Sequence, residues 1–271
     1  MPLNLSNLPG GVAAARFFIA GVVLAGGLAS CKNEIEAGPD TGTGYYPVAV
    51  GNSWTYAVTD TTWSQAIANG PLVSQVTPSV ATVSSYKFRE TITETFTDAA
   101  GRKAYRLVRA KMVPPSTAWV NDSVFVLTAN DQFVALNRNN VRTVELVFPV
   151  RNEASWNLNA FNNSAADTVT NLTRQYSRVG QPYATGGGAS GLPVKNYETT
   201  LTTNNTGTAA ESSLLKSIGY QQVFAKGVGP VLRRRFFFAY FYLNGSTITY
   251  VPGSYFAATT RRETLIDYVV K

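Results

Sequence analysis

The feature that most constrains the fold is a strict alternation of side chains between Tyr86 and Thr97. Aromatic residues, isoleucine and glutamate occupy every second position, and Lys, Arg or Thr lie between them. A period of two places successive side chains on opposite faces, so this segment predicts a long, half-buried β-strand. Asp98–Gly101 has the composition of a type I turn closed by a left-handed glycine. Lys103–Met112 then returns as the partner strand, which completes a predicted β-hairpin.

Further runs of β-branched, aromatic and aliphatic residues have the length and pattern of strands. They span residues 118–127, 132–136, 143–147, 167–176, 220–224, 231–243, 247–251 and 264–270. Residues 209–218 are predicted to form a short helix, and residues 180–213 a mobile pair of loops. Many strands joined by Gly, Asn and Asp turns predict an all-β fold. We expect an antiparallel sheet that curls on itself or closes into a half-barrel or barrel.

A short motif occurs twice, 102 residues apart. The first copy reads YPVAVGNSW from Tyr46 to Trp54, and the second reads FPVRNEASW from Phe148 to Trp156. Each copy predicts an extended, proline-containing segment that leads into a strand whose tryptophan fills one end of the core. Solenoid repeats span about 20–50 residues, so this longer period indicates a duplicated half-domain, with halves 45–147 and 148–271. Coincidence is the alternative, because few positions match.

The first 30 residues have the features of an export signal. An apolar run from Phe17 to Ala29 spans 13 residues, fewer than the roughly 20 of a membrane-spanning helix. The run ends in Leu28-Ala29-Ser30-Cys31, which resembles the lipobox of bacterial lipoproteins. The resemblance implies that signal peptidase II cleaves before Cys31 and that this cysteine carries acyl chains. The alternative is an ordinary secretory signal with a chance cysteine.

This assignment divides the chain into a signal helix over residues 1–30, a tether over 31–44 and a β-domain over 45–271. The tether has almost no apolar residues, so we expect it to be flexible. Each buried methylene of an acyl chain stabilises membrane binding by about 0.8 kcal/mol, so several chains on Cys31 would hold the protein on a membrane. The predicted location is the outer membrane, on its periplasmic or cell-surface face.

Three longer stretches resemble a family of uncharacterised lipoproteins of the Bacteroidota. They read YYPVAVGNSWTY, FPVRNEASWNLNAFN and VFAKGVGPV, and they follow one another between Tyr45 and Leu232. The resemblance implies a location in the cell envelope and brings no established activity with it.

The most unusual of the predicted strands is Arg233–Leu243, which reads RRRFFFAYFYL. From Phe236 onward its residues are apolar on both faces, which a sheet with one solvated face does not require. The candidate ligand-binding residues are Phe236, Phe238, Tyr240, Tyr242 and Arg234. An enclosed cavity lined by these rings would favour an apolar or glycan ligand, whereas an exposed patch would favour a protein partner. The structural alternative is a central strand that protein covers on both sides.

Composition argues against several classes of site. The chain has no histidine and one cysteine, which excludes histidine triads, Cys/His zinc sites and an internal disulfide. We predict no metal and no cofactor. The formal charge of +7 is dispersed and no nucleic-acid-binding motif is present, so we expect no nucleic-acid partner.

Two glutamates share the apolar face of the first predicted strand. Four residues along a strand place Glu90 and Glu94 about 13 Å apart, farther than the carboxyl pairs of glycosidases. Ion pairs with Lys103, Arg106 or Arg109, near the rim of the sheet, are the expected role of both carboxylates. We therefore predict that they are not catalytic.

Three tripeptides match an Asp-Ser/Thr-apolar signal for O-glycosylation that resembles Bacteroidota usage. Their acceptor residues are Thr61, Ser123 and Thr168. If used, these sites would be exposed. Chance is the alternative, because the chain is rich in threonine and serine.

Together these features predict a non-catalytic lipoprotein of the outer membrane that binds an apolar or glycan ligand. The alternative is a structural or partner-binding component of a cell-envelope assembly. A hydrolase is disfavoured, since no convergent set of acid, base and nucleophile is visible.

Overall fold

The structure, a computed structural model, describes residues 40–161, 172–207, 211–245 and 247–271. Its strands are β1 (Ser53–Trp63), β2 (Ile67–Ala68), β3 (Val76–Thr77), β4 (Ala81–Thr97), β5 (Lys103–Met112), β6 (Val120–Ala129), β7 (Phe133–Arg138), β8 (Val141–Val147), β9 (Ser155–Asn157), β10 (Thr173–Thr185), β11 (Lys195–Asn205), β12 (Lys216–Ala225), β13 (Gly229–Asn244) and β14 (Ile248–Val269). Short 3-10 turns at Thr43–Tyr45, Val73–Gln75 and Gly188–Ser190 are the only helical elements in these ranges. The all-β prediction is confirmed.

Twelve of the strands form one antiparallel sheet that nearly closes into a barrel. Its order is β8-β7-β6-β5-β4-β1-β14-β13-β12-β11-β10-β9, and β2 and β3 form a separate hairpin. The sheet therefore consists of two meanders, β4–β8 and β9–β14, joined by β1 between β4 and β14. The outer strands β8 and β9 also meet, because Val144 N donates to Leu158 O at 2.8 Å and Trp156 Nε1 donates to Val144 O at 2.8 Å. This contact covers edges that would otherwise be left unpaired.

The predicted β-hairpin is confirmed as β4 and β5. Gly101 has a φ of 75°, and its N–H donates to Asp98 O at 2.9 Å. The Asp98 carboxylate also accepts the backbone N–H groups of Ala100 and Arg102, each at 2.9 Å. The aspartate and the glycine therefore fix this turn as the sequence indicated.

Two local predictions are wrong. In the described part of residues 209–218, β12 begins at Lys216 and no helix forms. Leu215 O instead accepts the N–H of Tyr240 at 3.0 Å, because sheet pairing outweighs the weak propensity of a short helix. Residues 180–213 are not a loop pair, since β10 continues to Thr185 and β11 fills Lys195–Asn205. Threonine-rich β11 lacks apolar periodicity, yet it buries Thr200 and Thr202 in the sheet.

The two copies of the repeated motif form the same turn before their tryptophan, although the peptide bond before the proline is cis only in the second copy. Each forms a tight turn with a positive φ, 94° at Gly51 and 65° at Glu153, immediately before its tryptophan strand. Three backbone hydrogen bonds are equivalent in the two copies. In the first copy, Asn52 N donates to Ala49 O, Gly51 N to Ile92 O, and Ile92 N to Asn52 O. In the second copy, Ala154 N donates to Arg151 O, Glu153 N to Tyr176 O, and Tyr176 N to Ala154 O. The turn of the first copy is thus hydrogen-bonded to β4, and the turn of the second copy to β10. The division of the domain into two related halves stays a prediction.

The core fills the inner face of the curled sheet. Trp54 is fully buried, and its Nε1 donates to Val228 O at 2.6 Å, while the half-buried Trp156 packs against the same core. The residues at the start of the domain also pack onto it: Val150 N donates to Thr41 O at 3.0 Å and Gly227 N to Gly44 O at 2.8 Å. Residues 40–44, which we assigned to the tether, therefore belong to the folded domain. Within the described ranges, no helix has the length and apolar character to cross a membrane.

Candidate binding surface and interior charge network

Strands β13 and β14 extend beyond the rest of the sheet. β1 pairs with β14 only from Ala258 to Val269, so residues 248–257 pair with β13 alone. The segment between β1 and β4 packs on one face of this extension, where Ala66, Phe241 and Val251 form a second buried cluster. Protein therefore covers one face of the apolar strand, and the opposite face carries a row of aromatic rings.

Five aromatic side chains on that opposite face form what we call the aromatic surface. Its members are Trp63, Phe236, Phe238, Tyr240 and Tyr255. Phe238 lies at the centre, with ring centroids 5.3 Å from Phe236, 5.7 Å from Trp63, 5.3 Å from Tyr255 and 6.3 Å from Tyr240. These separations are typical of offset and edge-to-face pairs, so the rings support one another.

The backbone of β12 is shaped to receive one of these rings. Gly219 lies opposite Phe236 in the register of β12 and β13. A Cβ atom at Gly219 would come within 1.9 Å of the Phe236 ring, so only a glycine leaves room for the ring to lie on this strand.

The aromatic surface is open to solvent. Phe236 is 38% exposed, and Leu214, which borders the same surface, is 80% exposed. Leu214, Tyr240 and Tyr255 contribute to an open groove of about 360 Å³. The rings therefore line an exposed patch with a shallow groove and do not surround an enclosed cavity.

The predicted ligand-binding residues do not all lie together. Those at positions 236, 238 and 240 belong to the aromatic surface. Register shifts between Ala239 and Tyr242 separate Tyr242 from them, and its ring lies 6.3 Å from Tyr250 and 5.3 Å from Phe256 between centroids. Arg234 is exposed and forms no ion pair with a described residue.

A buried charge network crosses the interior of the sheet. Glu90 is 1% exposed and accepts two hydrogen bonds from Arg233, at 3.1 and 3.0 Å, in a bidentate pair. Arg109 donates to the same carboxylate, and Arg233 also donates to Glu263 at 3.0 Å. Burial alone would raise the pKa of Glu90, but the charges and hydrogen bonds of Arg233 and Arg109 outweigh it and hold the pKa well below its usual value. Glu90 is therefore a permanent counterion at neutral pH and is unsuited to general acid or base chemistry.

The expectation that Glu90 and Glu94 share a face is wrong. A bulge between Ile92 and Glu94 turns Glu94 to the outer face, where it pairs with exposed Arg106 at 3.1 Å. Arg109 is one of the partners expected for Glu90, but their pair lies deep in the interior rather than near the rim.

The open end of the sheet, on the far side of this network from Trp54, carries a second set of paired charges. Tyr86 Oη and Arg261 Nη2 each donate to Asp60 at 2.7 Å. Partial burial raises the pKa of Asp60, and the hydrogen bonds from Arg261 and Tyr86 outweigh it, so the pKa lies below its usual value. Deeper inside, Arg138 donates to buried Glu145 at 2.9 Å. No group of three His, Cys, Asp or Glu side chains among the described residues is placed to hold a metal ion.

Some of the predicted modification sites lie within the described residues and others lie outside them. Cys31, the signal helix and Thr168 lie outside the described residues. Thr61 and Ser123 lie in β1 and β6, and both are only half-exposed, which differs from the expected full exposure. All three acceptors remain predictions, and peptide mapping of native material is the measurement that checks them.

Sequence reasoning missed several residues of both regions. Trp63 joins the aromatic surface through the pairing of β1 with β14, which spans almost 200 residues, and no local pattern reveals it. Tyr255 joins it from β14, where it pairs with Tyr240 of β13. Arg138 and Arg261 were likewise unremarkable cations in the sequence. An available signal was the alternation of the β14 run TTRRETL, which places Arg261 and Glu263 on one face.

The chain matches no family model, no curated protein and no solved structure.

Proposed function

We propose that this chain is an acylated lipoprotein of the outer membrane, anchored through Cys31, whose β-domain binds another protein of the cell envelope through the aromatic surface. The proposed role is non-catalytic. Anchoring places the domain at a membrane, and the aromatic surface supplies the contact with the partner.

The observation that carries this proposal is the open arrangement of the rings. An enclosed cavity would have favoured a small apolar ligand, whereas an exposed aromatic patch beside 80%-exposed Leu214 has the composition of a protein interface core. Aromatic side chains lose little conformational entropy on binding and are enriched among residues that dominate interface energies. The open groove beside Tyr240 can receive an apolar side chain of the partner.

Site-specific photocrosslinking in the native host tests the proposal. A photoreactive phenylalanine analogue replaces Phe238, and a matched control replaces Val124, which is 61% exposed on distant β6. We expect a discrete protein adduct from position 238 that position 124 does not give. The same adducts from both positions, or none from either, would contradict a protein partner.

A glycan is the second candidate ligand, because the rings along β13 form a row in which neighbouring planes are tilted by no more than 32°. The interplanar angles are 32° between Phe236 and Phe238 and 20° between Phe238 and Tyr240. Such a row offers flat apolar faces on which sugar rings can stack. Binding of the full chain to envelope polysaccharides, abolished by Phe238→Ala, together with an absence of protein adducts, would select this candidate.

A further inference from the structure

The open end of the sheet contains a small cavity whose walls are rich in arginine. The cavity has a volume of about 80 Å³, and its lining contains the six arginines Arg109, Arg138, Arg233, Arg234, Arg235 and Arg261. A water molecule needs about 10–15 Å³ of such space, so this cavity has room for a group of about five heavy atoms. It lies on the inner side of the sheet, whereas the aromatic surface lies on the outer side.

The carboxylates around the cavity do not balance its arginines. The ion pairs of the lining are Arg109 and Arg233 with Glu90, Arg233 with Glu263, Arg138 with Glu145, and Arg261 with Asp60. Four carboxylates thus serve four of the six arginines, and Glu90 is shared between two of them. Arg234 and Arg235 are left without an ion-pair partner among the described residues.

Of these two, Arg235 lies on the same strand face as Arg233, so it is the unpartnered cation beside the paired charges. Its side chain is accessible to solvent, and its guanidinium makes no hydrogen bond or ion pair with a residue in the described ranges. Burial lowers the pKa of Arg235, and the charges of Arg261, Arg109 and Arg138 act in the same direction, while the charge of Glu263 opposes them. A bound anion would relieve this repulsion. The five N–H donors of a guanidinium also match the paired oxygens of a phosphate or carboxylate.

A wider depression continues from the cavity. It has a volume of about 360 Å³ and shares Arg235 and Arg261 with the smaller cavity. The rest of its lining is Asp60, Thr62, Phe236, Phe237, Thr259 and Thr260. Apart from Asp60, which Arg261 already neutralises, this second space offers hydroxyl groups and apolar surface. Its lining suits the uncharged part of a ligand.

We propose that the arginine cavity binds the phosphate group of a ligand whose uncharged remainder lies in the adjoining depression. A free phosphorylated compound and a lipid headgroup share this chemistry. The paired charges of the site lie on the other face of the sheet from the aromatic surface, and Phe236 borders both regions.

Thermal unfolding of the full chain in non-ionic detergent tests this inference. The first probe is inorganic phosphate, compared with sodium chloride at equal ionic strength. The variants are Arg235→Gln, Arg235→Lys and, as a matched control, Arg262→Gln, which removes the neighbouring outward-facing cation of β14. We expect phosphate to raise the unfolding temperature of the wild type and of Arg262→Gln. We expect Arg235→Gln to bind phosphate roughly tenfold to hundredfold more weakly, and Arg235→Lys to recover part of the loss.

Arg235→Gln should unfold in chloride at or above the wild-type temperature, because the side chain it replaces has no partner. A phosphate effect that equals the chloride effect, or that persists in Arg235→Gln, would overturn the inference. A short-chain phosphatidic acid and a sugar phosphate then separate the two sources. If the phosphatidic acid binds tenfold more tightly than the sugar phosphate, the ligand is a lipid headgroup. If it binds equally or more weakly, the ligand is a free phosphorylated compound.

Discussion

Replacing Glu90 by Gln tests whether the interior charge network stabilises the fold. Glutamine has nearly the same shape but removes the charge that Arg233 and Arg109 share. Removing one partner of a buried ion pair leaves an uncompensated charge and costs about 3–5 kcal/mol. A domain of this size loses about 2–4 °C of melting temperature per kcal/mol, so we expect a decrease of about 6–20 °C.

The chain offers a matched control on the same strand. Glu94 also pairs with an arginine, but its side chain is 50% exposed and that of Arg106 is 53% exposed. An exposed pair contributes about 0–1 kcal/mol, so Glu94→Gln should lower the melting temperature by at most about 4 °C. Calorimetry of both variants at neutral pH measures the difference. Equal losses in the two variants would refute the reasoning.

The pH dependence of the same variant gives a second readout. The folded-state pKa of Glu90 lies below its ordinary value of 4.5, so its stabilisation is complete above that value. As the pH falls, the unfolded chain takes up a proton that the folded chain still excludes, and the stabilisation is lost. The stability gap between wild type and Glu90→Gln should therefore narrow between about pH 5 and about pH 3. A constant gap over this range would contradict the assignment.

Three further predictions address the anchor, the closure of the sheet and the aromatic surface. Cys31→Ser should move the protein from the membrane fraction to the soluble fraction and remove the acyl mass from its mass spectrum. Tyr176→Phe removes a hydroxyl that donates to Val147 O at 2.7 Å and accepts from Val147 N at 2.8 Å. It should lower the free energy of unfolding by about 2–3 kcal/mol and speed hydrogen exchange at Val147, whereas unchanged exchange would contradict this role. Gly219→Ala should displace the Phe236 ring and weaken the crosslink from the aromatic surface, while the melting temperature changes little.

Local patterns predicted the parts of the fold that depend on neighbouring residues. The alternation in β4 and the Asp98–Gly101 turn are local, and both were read correctly. β11 was missed because threonines form a strand without apolar periodicity. Residues 247–251 and 264–270 are predicted as separate strands, but β14 is continuous and passes through Pro252 and Gly253 at a bulge.

The candidate sites depended on contacts that no local pattern contains. Arg233 was recognised as one of three successive arginines, but its partner Glu90 lies 143 residues away in the chain. The bulge before Glu94 changed which face that residue occupies, and a one-residue shift of this kind has no clear sequence signal. The aromatic residues of β13 were found because they are adjacent in sequence, and the rings that complete their surface were not.

The pairing of β1 with β14 determines the order in which the domain can be completed. Ser53 pairs with Val269, and Lys271 N donates to Asn52 Oδ1 at 3.0 Å, so an early strand is closed by the last of the fourteen. β4 can cover one edge of β1 soon after synthesis, but the other edge stays open until β14 arrives. A chain that is synthesised from its N-terminal end passes through a stage in which an almost complete sheet exposes an unpaired strand. Pairing between strands that are far apart in sequence is slow, and until it forms the free edge of β1 can associate with unpaired edges of other chains. Pairing of β14 with β1 removes that free edge.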